Sequence, residues 1–276
     1  ADRWVSWFDA LDWPGQYFLY LIDEPRPDKF PWIREQAAIL KGHAGPGAHL
    51  PIFTTRNWTP ELAGAIDIWC AGTGLDVAAK AERERLGERF WFYNGYRPAA
   101  GSVILEADAV DLRVNAWIKW RYRIDTWFLW EGTHWRHNHQ GPRAHWHQNV
   151  FGYPVTFVQI SERYDPFVSE RGLAWGNGDG ILFYPGREPF YPEQDRLING
   201  PLSSIRMKNH RRGAQDHAYI HLAAERAGTA AVDAIVAAAV PRAMSEVSRD
   251  EPVTWPVDGD AWEGFRRRLA DLILGR

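Results

Sequence analysis

Tyr17-Phe18-Leu19-Tyr20-Leu21-Ile22-Asp23-Glu24-Pro25 decides the fold class of this chain. Six apolar residues in a row, with no polar alternation, read as a strand buried on both faces, as in a parallel sheet. The run stops at two carboxylates and a proline, which mark a loop. Working outward, Pro31 opens a helix with Trp32, Ile33, Gln36, Ala37 and Leu40 at helical spacing; proline suits the first turn because its missing N–H is not needed there. The same unit then recurs. Residues 50–55 are a second strand, and Thr59-Pro60-Glu61 starts a short helix. A third strand at 65–70 precedes a charged helix at 77–86. A fourth strand at 90–94 precedes a helix at 108–122 carrying Val110, Val114, Trp117 and Arg121 on one face, and 126–131 is the fifth strand. Five strand-then-helix units predict an α/β fold with a parallel sheet and helical crossovers.

After Glu131 the rhythm breaks. Residues 132–175 form a long His-, Trp- and Pro-bearing segment whose strand-like run is 155–160. Segments of that length are usually functional. Asn177-Gly178-Asp179-Gly180 predicts a tight turn into a strand at 181–184, and 213–226 predicts a helix. An alanine-rich helix is expected around 230–239. A last helix is expected near Asp260, capped by that residue with Glu263 in capping-box position and an apolar stripe of Trp262, Phe265, Leu269 and Leu272. This divides the chain into a domain at 1–227, with a rim insertion at 132–175, and a helical extension at 228–276.

Composition narrows the function. Thirty-two Lys and Arg stand against 35 Asp and Glu, a net charge of −3, which excludes a strongly basic nucleic-acid binder. The longest apolar stretch, 230–240, is interrupted by Asp233 and is far short of the ~20 residues a membrane span needs. Cys70 is the only cysteine, so no internal disulfide forms. Sixteen Trp, 13 Phe and 10 Tyr are a large supply of flat rings.

In parallel α/β folds the reactive groups lie beyond the carboxyl ends of the strands. Read in turn, those ends are Asp23-Glu24-Pro25, Arg56-Asn57-Trp58, Trp69-Cys70, Tyr93-Asn94-Gly95-Tyr96-Arg97-Pro98 and Trp130-Glu131. Carboxylates, amides and rings on one rim suit a sugar, which offers C–H faces to rings and hydroxyls to polar groups. Asp23 and Glu24 are the sharpest signal, because a strand end turning into proline can present two adjacent acids together. One of the pair could equally be a solvated loop acid. Tyr93, Tyr96, Trp69 and Trp130 are candidate stacking platforms, with core packing as the other reading of each; Asn57, Asn94 and Glu131 are candidate hydroxyl ligands. Asp179 reads as a turn residue, and Arg206 with Asp216 as a structural ion pair or helix-start pair.

Asp23-Glu24-Pro25, then 91–98 (Trp-Phe-Tyr-Asn-Gly-Tyr-Arg-Pro), then Gly178-Asp179-Gly180 with Tyr184-Pro185-Gly186, and Ser204-Ile205-Arg206 leading to 212–219 (Arg-Gly-Ala-Gln-Asp-His-Ala-Tyr), form an ordered set. It resembles the catalytic domain of glycoside hydrolase family 123 and its relatives over roughly residues 17–227. The resemblance implies a (β/α)8 TIM-type barrel and a retaining exo-β-N-acetylgalactosaminidase, in which the substrate's own 2-acetamido oxygen is the nucleophile. Carried over by position, Glu24 is then the general acid and Asp23 the group that holds and polarises the acetamido N–H. The implied partner is a glycan, with no cofactor and no metal, in a secreted or periplasmic setting.

A barrel of this type averages about 250 residues and eight strands, whereas five clear units occur here and the Asp-Glu strand begins near residue 17. The reading is therefore the C-terminal five strands of a barrel, with an N-terminal segment or domain of the same polypeptide supplying the rest; closure by 155–160, 181–184 and 203–207 is the alternative. The start, Ala1-Asp2-Arg3-Trp4, has no charged-then-apolar leader, which places any export signal upstream or already removed. His134, His137, His139, His145 and His147 invite a metal reading, but no carboxylate or Cys joins them at matching spacing and Arg136 and Arg143 disfavour a cation. Other function classes are a non-catalytic carbohydrate-binding barrel, a glycosidase of the same fold acting on another glycan, and a metal-dependent hydrolase built on those histidines.

Overall fold

The repeated strand-then-helix pattern folds into one parallel sheet in a computed structural model that describes residues 1–72, 75–135, 147–152 and 178–276. Two compact units emerge, one built on Ala1–Tyr93, Tyr122–Phe128 and Met244–Glu246, the other on Asn94–Arg121, Leu129–Ala243 and Val247–Arg276.

The first unit opens with a helix the sequence pattern did not announce, α1 (Asp2–Ala10), which buries Val5 and leaves Trp4 and Trp7 exposed. β1 (Leu19–Ile22) leads to α2 (Phe30–Lys41), which buries Phe30, Ile33 and Ala37. β2 (Ile52–Thr54) and β3 (Ile68–Ala71) follow, then α3 (Val77–Glu84), β4 (Arg89–Tyr93) and β5 (Thr126–Phe128). Asp76 caps α3 by accepting from the Ala78 and Ala79 amides, which satisfies donors that have no partner inside the helix. The strands lie in the order β1-β2-β3-β4-β5, all parallel.

Because side chains alternate across a strand, the sheet has two different faces. One carries Phe53, Ile68, Cys70 and Trp91 as a buried cluster, with Phe18, Tyr93 and Phe128 packed against it. Residues one position along face the other way: Trp69 is fully buried and donates its indole N–H to Glu88 at 2.8 Å, where Arg83 also pairs, and Phe92 stacks on Trp127 at 5.6 Å. Among the described residues β1 and β5 are edges, and the sheet does not close into a barrel.

The second unit is built around helices. α4 (Asp111–Arg121) is buried from Asp111 through Ile118. β6 (Phe183–Pro185) and β7 (Pro201–Ser203) form an antiparallel pair, so 181–184 supplies a hairpin strand and no sixth strand of the parallel sheet. α5 (Ile205–Ala227), capped by Ser204, begins earlier than the expected 213 and takes up most of 203–207. The boundary expected at residue 227 falls between α5 and α6 (Thr229–Ala239), which belong to the same unit. The last helix, α7 (Gly259–Leu274), is capped by Asp258 and not by Asp260. Glu263 is drawn instead to Arg113 at 2.7 Å, because a buried guanidinium is a stronger partner than a helix-start amide.

The expected Arg206–Asp216 pair does not form. Asp216, fully buried, accepts from Arg113, Arg266 and the Trp117 indole. Arg206 donates to the carbonyls of Val103, Gly178 and Ile181. The two lie on one helix but ten residues apart, about 15 Å along its axis, so separate partners capture them. Gly101 is required by closeness: a Cβ there would lie 1.9 Å from the Asp111 carbonyl oxygen. The strand-like run 155–160 lies outside the described residues.

Candidate active site

The loop leaving β1 carries both acids. Glu24 has φ +38°, in the left-handed region that non-glycine residues avoid at a cost of roughly 1–2 kcal/mol. That turn directs Asp23 and Glu24 to a single cleft of about 340 Å³, whose other walls are Ile22, Pro25, Arg26, Asp28 and Lys29. Without it, consecutive side chains of an extended chain would point to opposite sides.

Residues of the neighbouring strand hold the turn in place. Thr54 donates its hydroxyl to the Ile22 carbonyl at 3.3 Å, Thr55 donates to Asp23 Oδ1 at 2.6 Å, and Arg56 donates to the Pro25 carbonyl at 2.8 Å. The Glu24 amide in turn donates to Thr55 Oγ1 at 2.8 Å. Tyr20 also donates to Asp23 Oδ1. One oxygen of Asp23 therefore receives two O–H groups.

The electrostatics of the cleft act on Glu24 and Tyr20. The Glu24 carboxyl is pushed above the ordinary glutamate range, first by desolvation and second by the negative charge of Asp23. The Tyr20 phenol is pushed up by burial and by its bond to Asp23, so it remains a donor.

The remaining expected rim residues divide between the units. In the first, Tyr93 is half-buried at the end of β4 with its ring 5.8 Å from Phe128, and Asn57 is exposed in the loop after β2. Trp69 is not on the rim; its fully buried indole serves the opposite face of the sheet, since its pleat position is out of phase with Ile68 and Cys70. In the second unit Asn94, at φ +51°, accepts the Trp130 amide on Oδ1 at 2.7 Å. The Trp130 ring lies 5.0 Å from that of His134, and Glu131 lies 3.7 Å from His134 Nδ1. Tyr96 is engaged by Arg249, whose guanidinium lies 5.8 Å from the ring centre. Asp179 is a turn residue, as expected, between two positive-φ glycines. Its carboxyl is pushed up to about 6, mainly by burial, with the Gly180 amide and Arg206 opposing.

Of the metal-suggesting histidines, 137, 139 and 145 lie outside the described residues, and His147 stacks on Phe190. Among the described residues no group of three or more His, Cys, Asp or Glu is placed to hold a metal ion.

The profile of the glycoside hydrolase 123 catalytic domain matches residues 10–223, which includes both acids and the Asp179 turn. The chain belongs to glycoside hydrolase family 123. A solved structure of a family 123 glycoside hydrolase from Clostridium perfringens, described in terms of glycolipid glycan hydrolysis, superposes with a TM-score of 0.56 at 12% identity, over 99% of this chain and 43% of that one. That likeness is one of fold, and this chain spans less than half of that enzyme's length. No curated protein sequence matches. No helix among the described residues is long and apolar enough to cross a membrane.

Family membership makes Asp23 and Glu24 candidates for the reaction of a glycosidase. Tyr20, Thr55 and Arg56, which hold that pair, were not singled out from the sequence for such a role. The available signal was positional: Thr55 and Arg56 directly follow β2, the strand paired with β1, so they stand beside Asp23.

Proposed function

We propose that this family 123 chain is a retaining hydrolase of terminal β-linked N-acetylhexosamine, N-acetylgalactosamine above all, acting with the substrate's 2-acetamido oxygen as nucleophile. The observation that carries the reading is the division of labour in one cleft: Glu24 has a raised pKa, and Asp23 accepts two hydroxyl bonds on Oδ1. With Oδ1 so occupied, Oδ2 is left to accept a hydrogen bond from substrate, and an acetamido N–H is the donor such an oxygen suits.

The chemistry then balances with one proton in transit. Glu24 gives its proton to the glycosidic oxygen while the amide oxygen attacks the anomeric carbon; the C–O bond to the leaving group breaks and an oxazolinium ion forms. Asp23 holds the N–H and stabilises the positive charge. Water next attacks the anomeric carbon, Glu24 takes its proton, and the acetamide is restored with the original anomeric configuration. This scheme needs neither metal nor cofactor. Asn57 and Tyr93, in the same unit as the two acids, are the further candidate sugar contacts. The glycan of a glycolipid is a natural extension of the substrate class, given the description of the Clostridium perfringens enzyme, and a secreted or periplasmic location accords with such a substrate.

We also propose that the five-strand sheet is part of a (β/α)8 barrel, in which strands from elsewhere in the polypeptide pair with the open edges of β1 and β5.

Turnover of an aryl β-N-acetylgalactosaminide tests the reading. Glu24→Gln is expected to lower kcat at least 10³-fold on a poor leaving group with folding intact, and proton NMR of the first product is expected to find the β-anomer. A wild-type rate in Glu24→Gln, or an α-anomer as first product, defeats it. Glycan binding without hydrolysis would select a carbohydrate-binding role instead.

A further inference from the structure

The side chains of Thr54, at the last β1–β2 pair, and of Thr55 and Arg56 just past it carry the contact between the two strands on into the loop. They meet Ile22, the Asp23–Glu24 pair and Pro25 in strict succession. The middle member differs from its neighbours. A hydroxyl has one hydrogen to give and two lone pairs to accept with; Thr55 spends its hydrogen on Asp23 Oδ1 at 2.6 Å and takes the Glu24 amide hydrogen at 2.8 Å. The Tyr20 phenolic oxygen lies 3.1 Å from Thr55 Oγ1, with both hydroxyl hydrogens directed to Asp23. Thr55 itself is only 5% exposed and follows the buried strand β2, so its own position is set by the sheet.

We infer that Thr55 is the positioning residue for this acid pair, one hydroxyl orienting the carboxylate of Asp23 and fixing the strained turn that presents Glu24. The inference rests on the proposed roles of Asp23 and Glu24 and adds a residue that touches neither substrate nor reacting atoms. Two consequences follow from the geometry. Both roles fall on one oxygen at the reach of a short side chain, which makes serine the functional substitute for Thr55. And because the Glu24 φ of +38° is unfavourable by itself, removing the acceptor of its N–H lets the backbone relax and carries the Glu24 carboxyl out of its place. Misplacement by about 1 Å costs on the order of 10²-fold in rate.

Paired substitutions separate positioning from packing. Thr55→Val keeps the shape and removes the hydroxyl; Thr55→Ser keeps the hydroxyl and removes a methyl group. Positioning predicts a kcat loss on the order of 10² for Thr55→Val with KM changed less than about threefold, and Thr55→Ser within about fivefold of wild type. Packing predicts the reverse order, and that result overturns the inference. A second readout requires no turnover: in protein labelled with ¹³C at Glu carboxyls, the Glu24 titration is expected to move toward the ordinary glutamate range in Thr55→Val and to stay in place in Thr55→Ser. If wild-type protein turns over no N-acetylhexosaminide, the proposed function fails while this titration still judges Thr55. An unshifted Glu24 in folded Thr55→Val sinks the positioning role; if Thr55→Val does not fold, Thr55→Ala carries the same two measurements.

Discussion

Glu24 turns away from Asp23 through a backbone φ of +38°, and for that reason two consecutive carboxylates share one cleft. Their proximity makes the pKa of Glu24 depend on the charge of Asp23, after burial.

Asp23→Asn removes that charge and leaves the burial. The Glu24 pKa is then expected to fall, though not fully to the ordinary value, since desolvation is the larger cause. In the proposed mechanism Glu24 donates its proton in the first step, so the alkaline limb of the kcat/KM profile is expected to move to lower pH along with an overall loss of rate. A pH profile on an activated aryl glycoside checks the direction; an alkaline limb moving upward contradicts it.

Asp179 holds a carboxyl pushed up to about 6, and its Oδ1 is buried with no hydrogen-bond partner among the described residues. An acid whose folded pKa exceeds its unfolded value binds more protons when folded, so stability falls as pH rises between about 4 and 6 and stays lower above that. Asp179→Asn is expected to flatten this part of the stability curve and to add up to about 3 kcal/mol at pH 7. Urea denaturation at pH 4.5 and pH 7 measures both, and an unchanged pH dependence refutes the assignment.

Asp216 joins α4, α5 and α7 by accepting from Arg113 on α4 and Arg266 on α7. Asp216→Ala leaves the guanidinium of Arg113, 4% exposed at its side chain, without its main counter-charge. The expected loss is roughly 3–5 kcal/mol, seen as a lower urea midpoint. Loss below about 1 kcal/mol would mean that Glu263 takes over the pairing.

Cys70 is fully buried on the aromatic face of the sheet, and burial pushes its thiol far above the ordinary range. Thiolate is the reactive form. A thiol reagent at pH 8 is therefore expected to leave the native protein unmodified for hours and to label one site rapidly in denaturant, by mass spectrometry. Fast native labelling would place Cys70 outside the core.

Much of the architecture was legible because its signals are local. The unbroken run before Asp23 and its four successors located β1 to β5, since a strand buried on both faces has no polar alternation, and the family's ordered motifs singled out Asp23 and Glu24. α1 lies outside the repeating strand-then-helix pattern and went unread, although Trp4, Val5 and Phe8 recur at helical spacing; Val5 is its one buried residue. Trp69 was read as a rim residue because strand ends draw attention to every ring there, while the face a residue occupies depends on the pleat phase, which Ile68 and Cys70 set in the folded sheet.

By itself, then, the sequence determined the α/β class, the family and the two acids, all properties of short segments and their order. Only the tertiary structure decided which groups serve those acids and which arginine meets Asp216. Thr55 lies 32 residues from Asp23, and Arg113 lies 103 from Asp216. Contacts at such separations are set by strand register and helix packing, and a hydroxyl or a guanidinium in the chain carries no mark of the partner that the fold will bring to it.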